Sequence, residues 1–107
     1  MKMNVIVINP WITSVNQSQV ETTDIQSLYR VMGWLGHDVE DVMVGATFPN
    51  GDNLLIQKTI DGPVPGFVLG QFRCHGSGVI MGNNDGEWSS PLFMLTEIQS
   101  RVRFFHA

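Results

Sequence analysis

Short apolar runs, each interrupted by glycine, proline, asparagine or aspartate, fill the sequence from residue 37 to residue 84. Asn50-Gly51-Asp52 separates two of these runs, and Asn-Gly pairs favour the positive φ angles of tight hairpin turns. Asp61-Gly62-Pro63 marks the next chain reversal. These short runs and tight turns predict an antiparallel sheet of successive hairpins, with a bulge or entry turn near Glu40-Asp41.

The residues before this region predict a buried strand, then a polar edge strand or loop, and then a helix. The apolar run at 5–8 ends at Asn9-Pro10, because proline cannot donate to a strand ladder and restricts the residue before it. Residues 13–22 are polar apart from two valines and predict the edge strand or loop. Residues 23–33 carry apolar side chains at helical spacing behind a threonine cap, so they predict the first helix.

The C-terminal segment predicts a second helix and a closing strand or tail. Ser90 and Pro91 fit the cap and the first residue of a helix, and Thr96 offers a later start. We expect this helix to end near Val102. The sequence therefore predicts one α+β domain over residues 1–107, an antiparallel sheet of five or six strands with two helices. A small bent β-barrel of the Sm or oligonucleotide-binding kind, with an N-terminal helix, is the alternative fold.

Composition limits the chemistry and the location of the chain. One cysteine allows no internal disulfide, and three scattered histidines give no zinc-ligand spacing, so we expect neither a metal nor a cofactor. Six lysines and arginines in a chain of net charge −4 are too few for counterion-driven binding of duplex DNA. The short apolar run near the N-terminus fits neither a signal peptide nor a membrane span. We expect a soluble cytoplasmic protein with no membrane partner.

The stretch "RCHGSGVIMGNNDG" at 73–86 combines the cysteine, a histidine and four glycines. The residues after Gly78 are strand-like, so no helix start is available to hold a phosphate. Neighbouring side chains of a strand point to opposite faces, so Cys74 and His75 do not form a nucleophile and base. We interpret the stretch as a strand and a tight turn with a buried thiol. The sequence shows no pair of acid and base and no nucleophile with a base, so we predict no catalytic residue and no enzymatic activity.

Aromatic, amide and arginine side chains are the candidates for a ligand site. A guanidinium can bind a phosphate or carboxylate through two hydrogen bonds, and amphipathic aromatic rings in loops often form contact surfaces. The predicted ligand-binding residues are Phe72, Arg73, Asn83, Asn84, Trp88, Arg101 and Arg103.

Five stretches in order along the chain carry a family resemblance. They are "INP" at 8–10, "IQSLYRVMG" at 25–33, "NGDNLLIQ" at 50–57, "GSGVIMGNNDGEW" at 76–88 and "LTEIQSRVRFF" at 95–105. Together they resemble a family of small uncharacterised proteins of phages, prophages and plasmids. The resemblance implies a viral or mobile-element origin, and hence a location in the host cytoplasm if a phage encodes the protein. It implies no activity and no site residue.

Three functions are compatible with these predictions. The first is a non-enzymatic protein that binds a small anionic ligand, such as a nucleotide signal, at an interface between copies of the chain. The second is a module for single-stranded RNA or DNA, in which a small barrel or ring gathers the arginines. The third is an accessory protein that acts through protein-protein interaction. We expect self-association, because an oligomer would turn scattered arginines into a repeated site.

Overall fold

The computed structural model describes residues 2–21, 42–57 and 63–106. These residues form nine strands and one helix. Their bounds are β1 Lys2–Asn9, β2 Ser14–Glu21, β3 Val42–Thr47, β4 Asn53–Gln57, β5 Gly66–Leu69, β6 Phe72–His75, β7 Gly78–Asn84, β8 Glu87–Ser89, α1 Leu95–Arg101 and β9 Val102–Phe105. No helix within the described residues is long and apolar enough to cross a membrane.

The described strands form two antiparallel sheets. The larger sheet has six strands in the order β2-β1-β7-β4-β3, and β8 pairs with the end of β7. The smaller sheet has three strands in the order β6-β5-β9. The predicted antiparallel sheet of five or six strands is thus confirmed, and the predicted edge position of residues 13–22 is confirmed by β2. Among the strands that the structure describes, β2 and β3 each have one neighbour, so this sheet is open, unlike the alternative barrel. The second sheet was not predicted.

The apolar core lies on both faces of the larger sheet, because successive side chains of its central strands point to opposite sides. On one face the buried residues are Met3, Val5, Val7, Val20, Leu55, Val79 and Met81. On the other face the smaller sheet and α1 pack against the larger sheet. The buried residues there are Ile6, Ile8, Val15, Leu54, Phe67, Leu69, Cys74, Ile80 and Ile98. Burial on both faces explains why β1 and β7 are almost continuously apolar.

The hairpins follow the turn signals of the sequence. β7 and β8 are joined by Asp85 and Gly86, whose φ angles are 53° and 87°, and Asn84 pairs with Glu87. Two positive φ angles in a two-residue loop match the twist of a hairpin. The hairpin predicted at Asn50-Gly51-Asp52 joins β3 to β4, with a longer loop than a tight primed turn.

Several predictions of turns, bulges and helices need correction or lie outside the described residues. The register of β3 shifts between Val44 and Ala46, so the described sheet has its bulge there. The predicted bulge or entry turn near Glu40-Asp41 and most of the predicted turn at 61–63 lie outside the described residues. The described part of the chain contains one helix where two were predicted, and the helix predicted at 23–33 lies outside it.

The second helix begins at Leu95, so both predicted starts, at Ser90-Pro91 and at Thr96, were wrong. Glu97 provides the side chain at the helix start: its carboxylate accepts a hydrogen bond from the Met94 amide at 2.9 Å. The Gln99 side chain instead donates to the Val15 carbonyl of β2 at 2.9 Å. The helix ends at Arg101, next to the predicted end near Val102. Of the predicted closing strand or tail, the residues after it form the strand, β9.

Asp52 explains why the chain does not enter the helix earlier. Its residue is 1% exposed, and its two carboxylate oxygens accept the amide hydrogens of Leu92 and Phe93 at 3.0 and 2.9 Å. The Asn50 side chain accepts the Asp52 amide hydrogen at 2.9 Å. A carboxylate bound to two backbone amides forms strong charge-assisted hydrogen bonds. Asp52 therefore fastens the segment before α1 to the β3–β4 loop, 40 residues away in sequence.

We predict that Asp52→Asn lowers the free energy of unfolding by about 2 kcal/mol, because the new amide group places a donor against a backbone N–H. The matched control is Asp85→Asn, since Asp85 is exposed and asparagine tolerates its positive φ angle. The control should change stability by less than about 0.5 kcal/mol. Urea unfolding followed by circular dichroism measures both values. Equal stability of the two variants would contradict the role given to Asp52.

Candidate functional site

A groove of about 570 Å³ lies where the β3–β4 loop, the β5–β6 turn and α1 meet. Among the described residues, its lining is mostly apolar and has one charged side chain, Arg101. The lining residues are Ala46, Thr47, Phe48, Pro49, Leu69, Gly70, Gln71, Phe72, Phe93, Ile98 and Arg101. An apolar cleft of this volume with few polar groups is typical of small-molecule sites.

Three phenylalanine rings shape the groove. The rings of Phe48 and Phe93 meet edge to face, with 5.2 Å between centroids and an interplanar angle of 87°. Phe72 contributes the third ring from the first residue of β6. Phe93 is placed by the hydrogen bond from its own amide to Asp52, so the buried carboxylate positions one wall of the groove.

Arg101 stands at the polar side of the groove. Its side chain is 57% exposed, and its Nη2 lies 3.9 Å from Glu97 Oε2, at the outer limit of an ion pair. Its guanidinium carbon lies 5.8 Å from the centre of the Phe93 ring. Exposed pairs of this kind contribute little to stability, so the guanidinium retains donors for an incoming anion.

A second depression of about 330 Å³ adjoins the groove, because Gly70 and Arg101 line both. Its other lining residues are Val68, Ser100 and Arg103. Two guanidinium groups thus border one small depression, and their charges attract a phosphate or carboxylate. Together the groove and the depression present aromatic surface on one side of Arg101 and positive charge on the other.

The structure distributes the seven predicted ligand-binding residues over separate regions. Phe72 and Arg101 line the groove, and Arg103 lines the adjoining depression. The guanidinium carbon of Arg73 lies 3.7 Å from the centre of the Phe105 ring, outside both. This group belongs to the smaller sheet and α1.

The other three predicted residues belong to the β7–β8 hairpin of the larger sheet. The Asn83 side chain accepts the Gly86 amide hydrogen at 2.9 Å and so stabilises the turn. Asn84 and Trp88 line a depression of about 260 Å³ together with Lys2, Met3, Glu87, Ser89 and Ser90. The predicted residues therefore divide between two sheets.

Sequence reasoning missed Phe48, Phe93 and Asp52. Phe48 precedes the Pro49-Asn50-Gly51 turn. A bulky aromatic residue beside a turn was a local signal of a ring that covers the core or forms a contact surface. Phe93 and Asp52 gave no such signal, because the contact between them joins positions 41 residues apart.

Cys74 and His75 lie on opposite faces of β6, as predicted. The Cys74 thiol is buried and donates to the His75 carbonyl with 3.2 Å between sulfur and oxygen. Burial raises the pKa of this thiol to about 11. His75 is exposed, and its Nδ1 lies 3.2 Å from the Val64 carbonyl oxygen. A thiol that stays protonated and points away from the imidazole is not an activated nucleophile.

Metal-binding groups are not gathered in the part of the chain that the structure describes: no three His, Cys, Asp or Glu side chains there could hold an ion together. Comparisons of this chain with protein-family models, with curated proteins and with solved structures found no match. The assignment of function therefore depends on the geometry of the groove and its surroundings.

We predict that Cys74 makes the stability of the protein fall with rising pH. Below about pH 9 the thiol is protonated in both states, so its pKa shift has no effect there. Between about pH 9 and 11 the unfolded thiol ionises while the folded one does not, which favours unfolding. Urea unfolding at about pH 8 and about pH 10.5 should show a larger loss for wild type than for Cys74→Ala. An equal loss would contradict the buried, protonated thiol.

Proposed function

We propose that this protein binds a small anionic ligand of the nucleotide class in the groove and its adjoining depression. The base or another flat ring lies among Phe48, Phe72 and Phe93, and the phosphate meets Arg101 and Arg103. The proposal includes a phage or mobile-element origin, a cytoplasmic location and capture of a nucleotide signal.

The position of Arg101 is the observation that carries this proposal. One residue lines both an apolar aromatic groove and a depression with a second guanidinium. A ligand that satisfies both surfaces needs a planar apolar part joined to an anion. Nucleotides have this construction, and a guanidinium binds phosphate through two parallel hydrogen bonds.

The composition of the groove supports capture of the ligand rather than its conversion. The described lining includes none of the proton-accepting residues histidine, cysteine, aspartate or glutamate. General acid-base catalysis needs such a group within hydrogen-bond reach of the reacting atom. We therefore propose a binding protein without catalytic activity. We also propose that the chain self-associates, since an oligomer would turn scattered arginines into a repeated site.

A thermal-shift screen with linear and cyclic nucleotides at about 100 µM tests this function. A ligand that binds only the folded state with a Kd of about 10 µM stabilises it by about 1.4 kcal/mol and raises the Tm by about 5 °C. We expect Arg101→Gln to abolish the increase, since it removes the charge shared by groove and depression.

Lys2→Gln is the matched control, because it removes the same charge from an exposed position on β1, outside the groove, the depression and the smaller sheet. It should retain the increase in Tm. The proposal is wrong if no nucleotide stabilises the wild type, or if the two variants lose the effect equally.

A further inference from the structure

The outer face of the three-stranded sheet carries cations and an aromatic ring in two rows. Across the strands, Arg73 pairs with Val68, and Val68 pairs with Arg103. In the second row, His75 pairs with Gly66, and Gly66 pairs with Phe105. Paired residues share a face, so these side chains stand together opposite the buried Phe67 and Cys74. We call this surface the basic face: Val68, Arg73, His75, Arg103 and Phe105.

Positive charge is concentrated at this end of the described molecule. Lys and Arg occur at four positions within residues 2–21, 42–57 and 63–106, and they are Lys2, Arg73, Arg101 and Arg103. Two of them are on the basic face and Arg101 borders it through the depression that contains Val68 and Arg103. None of the three strands contains Asp or Glu. In a chain of net charge −4, this is a local reversal of sign.

Flat groups on the basic face contact one another. The Arg73 guanidinium carbon lies 3.7 Å from the centre of the Phe105 ring, and the His75 ring meets the same ring edge to face at 5.1 Å. Gly66 permits this arrangement, because a Cβ at that position would lie 2.5 Å from Phe105 Cζ. The outward side of a guanidinium group that lies over an aromatic ring is a surface on which a nucleobase can stack.

We propose that the basic face binds single-stranded nucleic acid. Arg73 and Arg103 contact successive phosphates, and bases stack on the Arg73–Phe105 pair and on His75. Duplex recognition needs a denser row of cations than this face has. An acidic peptide would use the charges but not the planar groups of His75, Arg73 and Phe105. This binding shares Val68 and Arg103 with the depression beside the groove, whereas Arg73, His75 and Phe105 lie outside both. It does not use the groove itself.

Fluorescence anisotropy with a labelled oligonucleotide of about 12 nucleotides tests the proposal through its salt dependence. Two phosphate contacts predict a slope of about −1.4 for log K against log salt concentration. The double variant Arg73→Gln and Arg103→Gln should bring the slope close to zero. Phe105→Leu should weaken binding several-fold and leave the slope unchanged, since it removes the stacking platform and no charge.

Lys2→Gln is the matched control, because it removes an exposed cation from β1 of the other sheet. It should bind like the wild type. Absence of binding at low salt, a slope near zero in wild type, or an equal loss in Lys2→Gln would overturn the proposal. So would displacement of the oligonucleotide by polyglutamate at equal charge concentration, which would indicate an acidic protein partner. Arg101→Gln in the thermal-shift screen reports on the groove separately, so either proposal can fail alone.

Discussion

The buried Asp52 carboxylate is the interaction on which the arrangement of this molecule depends. It lies at the end of the β3–β4 loop and binds the amides of Leu92 and Phe93, which precede α1. Two further contacts connect this part of the chain to the larger sheet. Before α1, Ser90 Oγ accepts the Asn4 amide hydrogen at 2.9 Å, and within α1 the Gln99 side chain donates to the Val15 carbonyl. The last strand of the smaller sheet follows α1 directly, so these hydrogen bonds hold the two sheets in their relative position.

This construction makes the groove a consequence of the fold. The segment that Asp52 holds carries Phe93, whose ring contacts the Phe48 ring edge to face. After this segment, Arg101 lies at the end of α1 and Arg103 lies on β9. Aromatic rings and guanidinium groups from distant parts of the sequence thus meet around one opening. The basic face begins where the groove ends, because Arg103 takes part in the depression and in the outer face of the sheet.

Features set by a few neighbouring residues were predictable from the sequence. The end of β1 at Asn9-Pro10, the hairpin at Asn50-Gly51 and the turn at Asp85-Gly86 all follow from local backbone preferences. The start of α1 was not predictable, because Asp52 competes for the amides that a cap at Ser90 would have used. For the same reason the sequence indicated Arg101 and Phe72 as binding residues but not Phe93. The second sheet depends on pairing of β5 with β9 across more than 30 residues, which no local pattern encodes.

We propose that the hydrogen bonds from the Leu92 and Phe93 amides to Asp52 create a ligand site around Arg101. Titration of ¹⁵N-labelled protein with adenosine monophosphate, followed by amide chemical shifts, tests this claim most directly. We predict saturable shifts at the amides of Phe48, Phe72, Phe93 and Arg101. Shifts confined to the β7–β8 hairpin, or none up to millimolar nucleotide, would contradict it.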